Sequence, residues 1–402
     1  MINREILSGL RSQYGEAFYL LDSVKFRLNY MELKSAFNRI YPPTNIAYSY
    51  KTNYTPKLCR IVDELGGYAE VVSEMELEIA KHVGCKADRI IWNGPVKNVP
   101  VMEQFLLEGG TVNLDCREEL EQVKEIHSRH QDTLIHVGIR CNYDVNDGVL
   151  SRFGFDVNGA DFIEAVEFVT HTDRVKFMNF QCHFAKRQIT YWPERARGMV
   201  KLIDRLGIIP ERIDIGGGLF GKMPESLKKQ FGCEIPNYQS YAESAASVFA
   251  DYFRDKEEKP ELLLEPGSAL VGDCMMFVGT VKTIKNVRGK WLATVLGSQK
   301  NISMSGVNPP IEVISMGGEQ KDYQDLDFVG YTCIESDVLY HNYTGRLARQ
   351  DVIVISNCGS YSLVMKPPFI LPNFPVLDIS EGEVELIKRS ETFDDLFHTF
   401  NF

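Results

Sequence analysis

The chain alternates between short apolar runs and longer segments whose apolar residues recur three and four positions apart. Strand side chains point to opposite faces in turn, whereas helix side chains return to one face every three or four residues. The two patterns therefore predict strands and helices. Strands are predicted at 45–51, 67–72, 89–93, 111–115, 134–140, 175–183, 211–216 and 261–265. Eight strands, each followed by a helical pattern, predict a closed (β/α)8 barrel of the TIM type, and an open doubly wound sheet is the alternative.

The pattern changes after Gly267. Residues 269–300 and 311–357 are rich in Val, Ile, Thr and Tyr in short runs broken by Gly, Asn and Pro, which is typical of antiparallel β-structure. We therefore predict three parts, an N-terminal segment that joins the β domain, a barrel domain and a C-terminal antiparallel β domain, at residues 1–25, 26–268 and 269–402. No long linker separates them, so the domains are expected to pack closely.

Composition narrows the possible partners. The 402 residues include 55 acidic and 44 basic side chains, giving a net charge of −11, and the basic residues form no block. This balance argues against nucleic acid or an anionic membrane and favours a small-molecule partner. No apolar run approaches the roughly 18 residues that span a bilayer, and the first residues do not resemble a secretory signal, so a cytoplasmic location is expected. The nine cysteines lack CxxC pairs, which favours reduced thiols and no metal site.

The candidate catalytic and binding residues lie where the predicted strands end. Lys51, Arg140, His183, the Gly216–Gly218 run and Glu265 follow five different strands. The carboxyl ends of barrel strands form the active-site rim, so these groups are expected to converge. A lysine in a dry pocket loses its proton readily and becomes a nucleophile. A surface lysine at a strand end is the alternative for Lys51.

The same residues suggest a cofactor. Three consecutive glycines let backbone N–H groups cradle a phosphate, although an ordinary turn has the same sequence. Glu265 could hold a proton on a ring nitrogen or pair with a barrel arginine. His183 could stack on that ring or be a buried histidine. Together with Lys51, these groups predict pyridoxal 5'-phosphate bound as a Schiff base.

Eight ordered motifs resemble those of one enzyme family. They lie at 48–51, 94–97, 151–154, 182–183, 214–218, 265–267, 333–337 and 359–361. In this order they are similar to the motifs of the fold-type III pyridoxal-phosphate decarboxylases, which include diaminopimelate and ornithine decarboxylases. The resemblance extends from about residue 16 to 376, with a further match at 389–393, and so covers nearly the whole chain.

The resemblance implies a barrel plus a β domain, assembled as a head-to-tail homodimer with shared active sites. It implies that Lys51 carries the cofactor, His183 stacks on the ring and Glu265 pairs with the pyridinium nitrogen. Cys333 would return a proton from the partner subunit, and Asp337 near it would contact substrate. The full set of expected cofactor contacts is Lys51, His183, Gly217, Gly218, Glu265, Gly267, Tyr361, Arg140 and Lys186.

Departures from the family pattern bear on the substrate. The residue after the cysteine is usually acidic and faces a distal amine, but here it is Ile334. This puts diaminopimelate, lysine and ornithine in doubt. Glu335 could substitute, although a shift of one residue on a strand points to the other face.

A second group of departures concerns positive charge. Ser268 replaces an arginine near the phosphate, while Lys186, followed by Arg187, replaces a serine. Either cation could restore the charge or bind an acidic group on the substrate. Residues 365–375 also lack the arginine that follows Tyr361 in enzymes for diaminopimelate. We therefore expect a non-standard amino acid or amino-acid conjugate, as in specialised-metabolite or siderophore biosynthesis.

Two other functions remain open from the sequence. An amino-acid racemase can use a similar barrel and the same cofactor, but needs a second base in place of the cysteine–aspartate pair. A non-catalytic homologue could bind cofactor without turnover. Retention of Lys51, His183, Glu265 and Cys333 together favours an active decarboxylase.

Overall fold

The structure, a computed structural model, describes residues 2–304, 306–366 and 368–402. The chain divides into two compact units. The barrel unit comprises residues 27–220 and 235–269, and the β unit comprises the N-terminal residues up to Phe26, residues 221–234 and residues 270–402. Residues 221–234 lie inside the range predicted for the barrel but cluster with the β unit. Gln230 explains this, because it exchanges two hydrogen bonds of 2.8 and 2.9 Å with the Asn308 backbone.

Eight parallel strands close the barrel, which confirms the predicted fold class and rules out the open sheet. Strands and helices are numbered along the whole chain. The barrel strands are β2 (Thr44–Ser49), β3 (Tyr68–Val71), β4 (Ile90–Trp92), β5 (Thr111–Leu114), β6 (Ile135–Asn142), β8 (Val175–Gln181), β9 (Arg212–Asp214) and β10 (Glu261–Leu264). Each pairs with the next, and β10 pairs with β2. A two-residue strand, β7 (Phe155–Asp156), adds to β6.

Helices follow the strands as the apolar spacing predicts. They are α2 (Ser23–Asn38), α3 (Pro56–Glu64), α4 (Glu74–Val83), α5 (Val99–Leu107), α6 (Arg117–Arg129), α7 (Ala160–His171), α8 (Trp192–Leu206), α10 (Tyr238–Tyr252) and α11 (Ser268–Val271). Capping residues determine where these helices begin and end. The Ser73 hydroxyl accepts the Glu76 N–H at 3.2 Å and caps α4, and Gly84, at φ 100°, ends it in the left-handed conformation.

The β unit contains a mixed sheet rather than the antiparallel one expected. Its strands are β1 (Ala17–Leu21), β11 (Met275–Val287), β12 (Lys290–Val295), β13 (Ile311–Ile314), β14 (Lys321–Val329), β15 (Val338–Leu347), β16 (Val352–Ser356), β17 (Val376–Asp378) and β18 (Glu385–Lys388). Most neighbours are antiparallel, but β1 pairs with β17 and β12 pairs with β14 in parallel. Parallel neighbours need a long connection, and the chain between each of these pairs is long enough to provide it.

Short helices complete the β unit: α1 (Arg4–Tyr14), α9 (Glu225–Lys228), α12 (Gln299–Ile302) and α13 (Phe393–Phe397). Helix α1 places Leu7 and Leu10 in a buried cluster with Phe18 and Leu20 of β1. Each fully buried side chain of this size contributes about 1.5–3 kcal/mol. The N-terminal segment therefore belongs to the β unit through its apolar face.

A buried ion pair anchors the loop after β4 in the barrel unit. The Lys97 ammonium lies 2.9 and 2.8 Å from the two carboxylate oxygens of Glu119 and donates to the Gly94 carbonyl at 2.7 Å. Glu119 also accepts the Asp115 N–H at 2.8 Å. Burial lowers the pKa of Lys97 and raises the pKa of Glu119. Each charge is therefore tolerated only because the other is present.

Replacing Lys97 by methionine should lower the free energy of unfolding by about 3–5 kcal/mol, because it leaves the Glu119 carboxylate buried and unpaired. Urea unfolding checks this. The double variant Lys97→Met with Glu119→Leu should recover most of the loss, and Arg197→Met, which breaks the exposed pair with Glu194, should change little. A loss in the single variant no larger than that of Arg197→Met would contradict the assignment.

Candidate active site

Lys51 lies in a 3-10 turn, Tyr50–Thr52, directly after β2, so the strand ends two residues earlier than predicted. Its ammonium forms an ion pair of 2.6 Å with the Glu70 carboxylate of β3. Burial lowers the pKa of Lys51, but the carboxylates of Glu70 and Glu265 outweigh it, so the pKa is raised overall. The expectation of a lysine that loses its proton in a dry pocket is thus wrong for this structure. The Lys51 side chain is 37% exposed, so a small molecule can reach it.

Sequence analysis missed Glu70, although it carries a signal. It is an acid inside the apolar run 67–72, and it is 1% exposed. Besides Lys51 it accepts hydrogen bonds from the Ser49 hydroxyl and, at 3.1 Å, from the Asn93 amide. Burial alone would raise the pKa of Glu70, but the Lys51 charge and these donors lower it. Glu70 is therefore the anion that keeps the Lys51 amine charged.

Glu265 follows β10 and is 4% exposed. It accepts hydrogen bonds from the Asn93 amide at 2.5 Å and from the Gln181 amide at 3.1 and 3.2 Å. Burial raises the pKa of Glu265 well above its usual range, and the carboxyl groups of Asp214 and Glu70 raise it further. Burial also raises the pKa of Asp214. The site thus gathers three buried carboxyl groups around one ammonium, and Glu265 needs a further cation before it ionises.

His183 follows β8, and its Nδ1 accepts the Gly217 N–H at 3.0 Å. Burial lowers the pKa of His183 well below its usual range, and the positive charge of Lys51 adds to this effect. The ring is therefore neutral, with its proton on Nε2. A neutral imidazole held by this hydrogen bond has a flat face that an aromatic ring could contact, and the stacking of His183 on a cofactor stays a prediction.

The glycine run adopts backbone conformations that other residues avoid. Gly216 and Gly218 have φ of 71° and 85°, and a Cβ atom at Gly217 would lie 2.1 Å from the Glu265 carbonyl oxygen. The Gly217 N–H already donates to His183, so this amide is engaged in the structure. The turn brings its backbone close to Glu265 and His183. Phosphate binding by Gly217 and Gly218 stays a prediction from the glycine run.

Arg195 fixes this turn and was also missed. It lies on the inner face of α8, fully buried, and donates to the carbonyl oxygens of Gly217 at 2.6 Å, Phe184 at 2.9 Å and Lys186 at 2.8 Å. These bonds join the loop after β9 to the loop after β8. The signal in the sequence is an arginine among the apolar positions of a helix. Lys186 and Arg187 are half-buried on the joined loop, and Arg187 lies 5.7 Å from the centre of the Phe220 ring.

Two expected cofactor residues have packing contacts of their own. Arg140, at the end of β6, is 8% exposed and lies 3.5 Å from Asp115 and 4.6 Å from the centre of the Phe153 ring. It therefore helps to hold the 151–154 motif. Gly267 is required by close packing, since a Cβ atom there would lie 2.0 Å from the Thr52 hydroxyl in the turn that carries Lys51.

The remaining predicted residues lie in the β unit. Cys333 and Glu335 are exposed, and Tyr361 is half-buried with φ 62°. Asp337 is buried and accepts hydrogen bonds from the Ser298 hydroxyl at 3.0 Å, the Gln299 N–H at 2.7 Å and the Thr332 hydroxyl at 2.5 Å. Its carboxylate thus ties its own loop to the start of α12, and the expected contact of Asp337 with substrate stays a prediction.

A cavity of about 320 Å³ lies beside this loop. Its wall combines the apolar side chains of Ile334 and Phe369 with the cations Lys300 and Lys366 and with the Asp337 carboxylate. Lys366 Nζ donates to the side-chain oxygen Oδ1 of Asn373 at 2.7 Å, and burial lowers the pKa of Lys366 to about 8. The cavity therefore offers apolar contacts and charges of both signs, with two cations and one carboxylate.

The barrel residues fit pyridoxal phosphate. An amine, a neutral imidazole, a glycine turn and a buried acid lie together at the carboxyl ends of the barrel strands, and Asp214 Oδ2 and Gln181 Oε1 are buried without hydrogen-bond partners among the described residues. The described residues contain no group of three or more histidine, cysteine, aspartate or glutamate side chains arranged to hold a metal ion. None of the helices in the described ranges has the length and apolar character needed to cross a bilayer.

Comparison with known proteins bears on the chemistry. The family model for the pyridoxal-binding domain of pyridoxal-dependent decarboxylases matches residues 29–272. The diaminopimelate decarboxylase of Methanocaldococcus jannaschii is 27% identical over 96% of this chain and 91% of its own. The L-glutamyl-[BtrI acyl-carrier protein] decarboxylase of Niallia circulans is 25% identical over 98% of this chain and 95% of its own.

Solved structures share the fold. The crystal structure of the Methanocaldococcus jannaschii diaminopimelate decarboxylase superposes with a TM-score of 0.87 at 24% identity, covering 98% of this chain and 94% of its own. The arginine decarboxylase of Paramecium bursaria Chlorella virus superposes with a TM-score of 0.75 at 18% identity, covering 94% of this chain and 100% of its own. Because the family model spans more than half of the sequence, the chain belongs to the pyridoxal-dependent decarboxylase family and is a carboxy-lyase with pyridoxal 5'-phosphate as its cofactor.

Proposed function

We propose that this enzyme removes the α-carboxylate of an amino-acid-type substrate that lacks a distal ammonium group, such as an amino acid conjugated to a larger molecule. The decarboxylation chemistry rests on the pairing of Lys51 with Glu70, next to Glu265, at the carboxyl end of the barrel. The substrate class rests on the side chains that line the cavity of the β unit. When bound, the cofactor supplies a pyridine ring that accepts the electron pair left by departing carbon dioxide.

The barrel residues hold and move protons around that ring. Lys51 binds the cofactor after its Nζ proton passes to a neighbouring base, and Glu70 Oε2 lies 2.6 Å away to receive it. His183 presents its ring face. Glu265 would hold the ring nitrogen, because a positive charge there would offset the burial that raises the pKa of this carboxyl group and would favour its ionised form.

Lys186 or Arg187 supplies the positive charge that Ser268 does not. Both lie on the loop that Arg195 joins to the glycine turn. A cation there would pair with a phosphate held near Gly217 and Gly218. Binding of the phosphate by Tyr361, Gly267 and Arg140 belongs to the same proposal.

The β unit supplies substrate recognition and an acid. Ile334 and Phe369 line a cavity that also contains Lys300, Lys366 and Asp337. The Asp337 carboxylate already accepts three hydrogen bonds, so the two lysines and the apolar wall suit an apolar or anionic distal group better than an ammonium. The Niallia circulans relative is named for a glutamyl group attached to an acyl-carrier protein, which supports a conjugated substrate. Asp337 acts by holding the loop, and exposed Glu335 is a candidate substrate contact.

Cys333 is exposed on the same loop, so its thiol is accessible to the active site of a second copy of the chain. We place it as the acid that returns a proton to the substrate carbon in a homodimer with shared sites. Replacing an acid of this kind reduces turnover by about 10²–10⁴-fold.

The first test of this function is a substrate panel. Purified enzyme loaded with cofactor should release carbon dioxide from amino acids or conjugates with neutral or anionic distal groups faster than from diaminopimelate, lysine or ornithine. Ile334→Glu should shift the preference towards substrates with a distal ammonium, because it supplies a carboxylate partner, whereas the uncharged control Ile334→Gln should not. Preference for diaminopimelate in the unaltered enzyme would contradict the substrate proposal. Inversion of configuration without carbon dioxide release would indicate a racemase.

A second test concerns the phosphate. Lys186→Ser should weaken cofactor binding at least tenfold, as expected for the loss of one charge-assisted hydrogen bond, about 1.5–3 kcal/mol. Titration of cofactor-free protein with pyridoxal phosphate measures this, and Lys201→Ser on the exposed face of α8 is the matched control. Unchanged affinity in both Lys186→Ser and Arg187→Ser would exclude a phosphate role for this loop.

A further inference from the structure

A row of three buried asparagines crosses the barrel interior and ends at the two acids of the site. The side-chain amide Nδ2 of Asn179 on β8 donates to Oδ1 of Asn113 on β5 at 2.9 Å, and Asn113 Nδ2 donates to Asn93 Oδ1 at 2.7 Å. The Asn93 amide nitrogen then donates to Glu70 at 3.1 Å and to Glu265 at 2.5 Å. We call these three residues the amide row. Their exposure is 3% or less, so bulk water does not replace these bonds.

The amide row has a fixed direction. Each carbonyl oxygen of Asn113 and Asn93 accepts from the preceding amide, so each NH2 group must face the next residue along the row. Turning Asn93 over would place its oxygen against two carboxyl groups and its NH2 group against another NH2 group. The far end supports the same direction, because Asn179 Oδ1 is buried without a partner among the described residues. The unsatisfied acceptor thus lies far from the acids, and the donors point towards them.

The barrel also makes room for the amide row. Barrel interiors are normally filled by bulky aliphatic side chains. Here β6 carries Gly138, where a Cβ atom would lie 2.0 Å from Asn113 Oδ1 and 2.7 Å from Asn179 Oδ1. Three amide side chains lie at interior positions, and a glycine accommodates two of them. This combination indicates a specific polar network in the barrel rather than an accident of packing.

We propose that Asn93, oriented by Asn113 and Asn179, is a positioning residue that holds Glu265 in its ionised form opposite the cofactor ring nitrogen. The inference deepens the proposed function and rests on it for the place of the ring. A hydrogen bond from a neutral donor stabilises a carboxylate more than a carboxylic acid, so the Asn93 amide favours ionisation of Glu265. An ionised Glu265 in turn favours a protonated ring nitrogen. Asn93 also contacts Glu70 through the same nitrogen, which fixes the spacing of the two acids.

Other groups around Glu265 act on its ionisation as well. The Gln181 amide donates to both of its oxygens. The charged and titratable groups that influence it are Asp214, Glu70, Lys51, Arg140 and Cys182. The test must therefore change the amide row and leave all of these in place.

The experiment uses pyridoxine 5'-phosphate, which lacks the aldehyde and so cannot bond to Lys51. Its ring absorbance reports whether the ring nitrogen is protonated. In Asn93→Leu, the pH at which the bound ring loses its proton should fall by about one to two units, the equivalent of one hydrogen bond to a charged group. Asn113→Leu, which keeps the Asn93 donor but frees its orientation, should shift the titration in the same direction by less. This second variant keeps the test available if Asn93→Leu does not fold.

A matched control separates positioning from stability. Asn301 is a fully buried asparagine of the β unit that donates to Tyr19 at 3.0 Å. Asn301→Leu should destabilise the protein without moving the ring titration. Unchanged titration in both Asn93→Leu and Asn113→Leu, with normal binding of the analogue, would overturn this inference alone. Failure of the unaltered protein to bind the analogue would overturn the proposed cofactor site as well.

Discussion

The site depends on one ion pair, between Lys51 and Glu70, inside a closed parallel barrel. A single, partly exposed ammonium faces three buried carboxyl groups, and these cannot all ionise without further positive charge. The pair keeps Glu70 ionised and Lys51 protonated. The site then has an excess of carboxyl groups over cations, and the pKa values of Glu265 and Asp214 are raised. A cationic ring placed next to Glu265 would relieve this excess. The resting structure is therefore electrostatically prepared for the cofactor of its family.

Precise placement comes from groups that never need to react. Arg195 joins two loops through three backbone carbonyl groups, and Gly267 lets the turn with Lys51 approach its neighbour. Asn93 bridges the two acids through one nitrogen. These contacts come from elements far apart in sequence, yet they meet at one rim because parallel strands end there. A rigid frame of this kind places catalytic groups more accurately than flexible loops do.

The sequence was informative where local pattern decides structure. All eight barrel strands were predicted because each is a short apolar run, and Lys51, His183 and Glu265 were found because they end such runs. Glu70, Asn93 and Arg195 were missed because their importance lies in partners distant along the chain. Glu70 and Arg195 could have been suspected, since a charge inside an apolar pattern is costly unless it is paired.

The β unit shows the limit of what the hydrophobic pattern of the sequence predicts. Alternation predicts strands but not their neighbours, so the parallel pairs of β1 with β17 and β12 with β14 were not expected. Asp337 stands in a familiar motif, but its environment uses the carboxylate to fix the loop. The substrate proposal therefore rests on the side chains that line the cavity rather than on the motif alone.

The central claim is that the Lys51 amine, paired with Glu70, is the group that binds the cofactor. Loading the protein with pyridoxal phosphate, reducing it with borohydride and mapping the modified peptide by mass spectrometry tests this directly. The account predicts a single stable modification on Lys51 that is absent from Lys51→Ala. Modification of a different lysine in the unaltered protein, or an equal yield in Lys51→Ala, would contradict it.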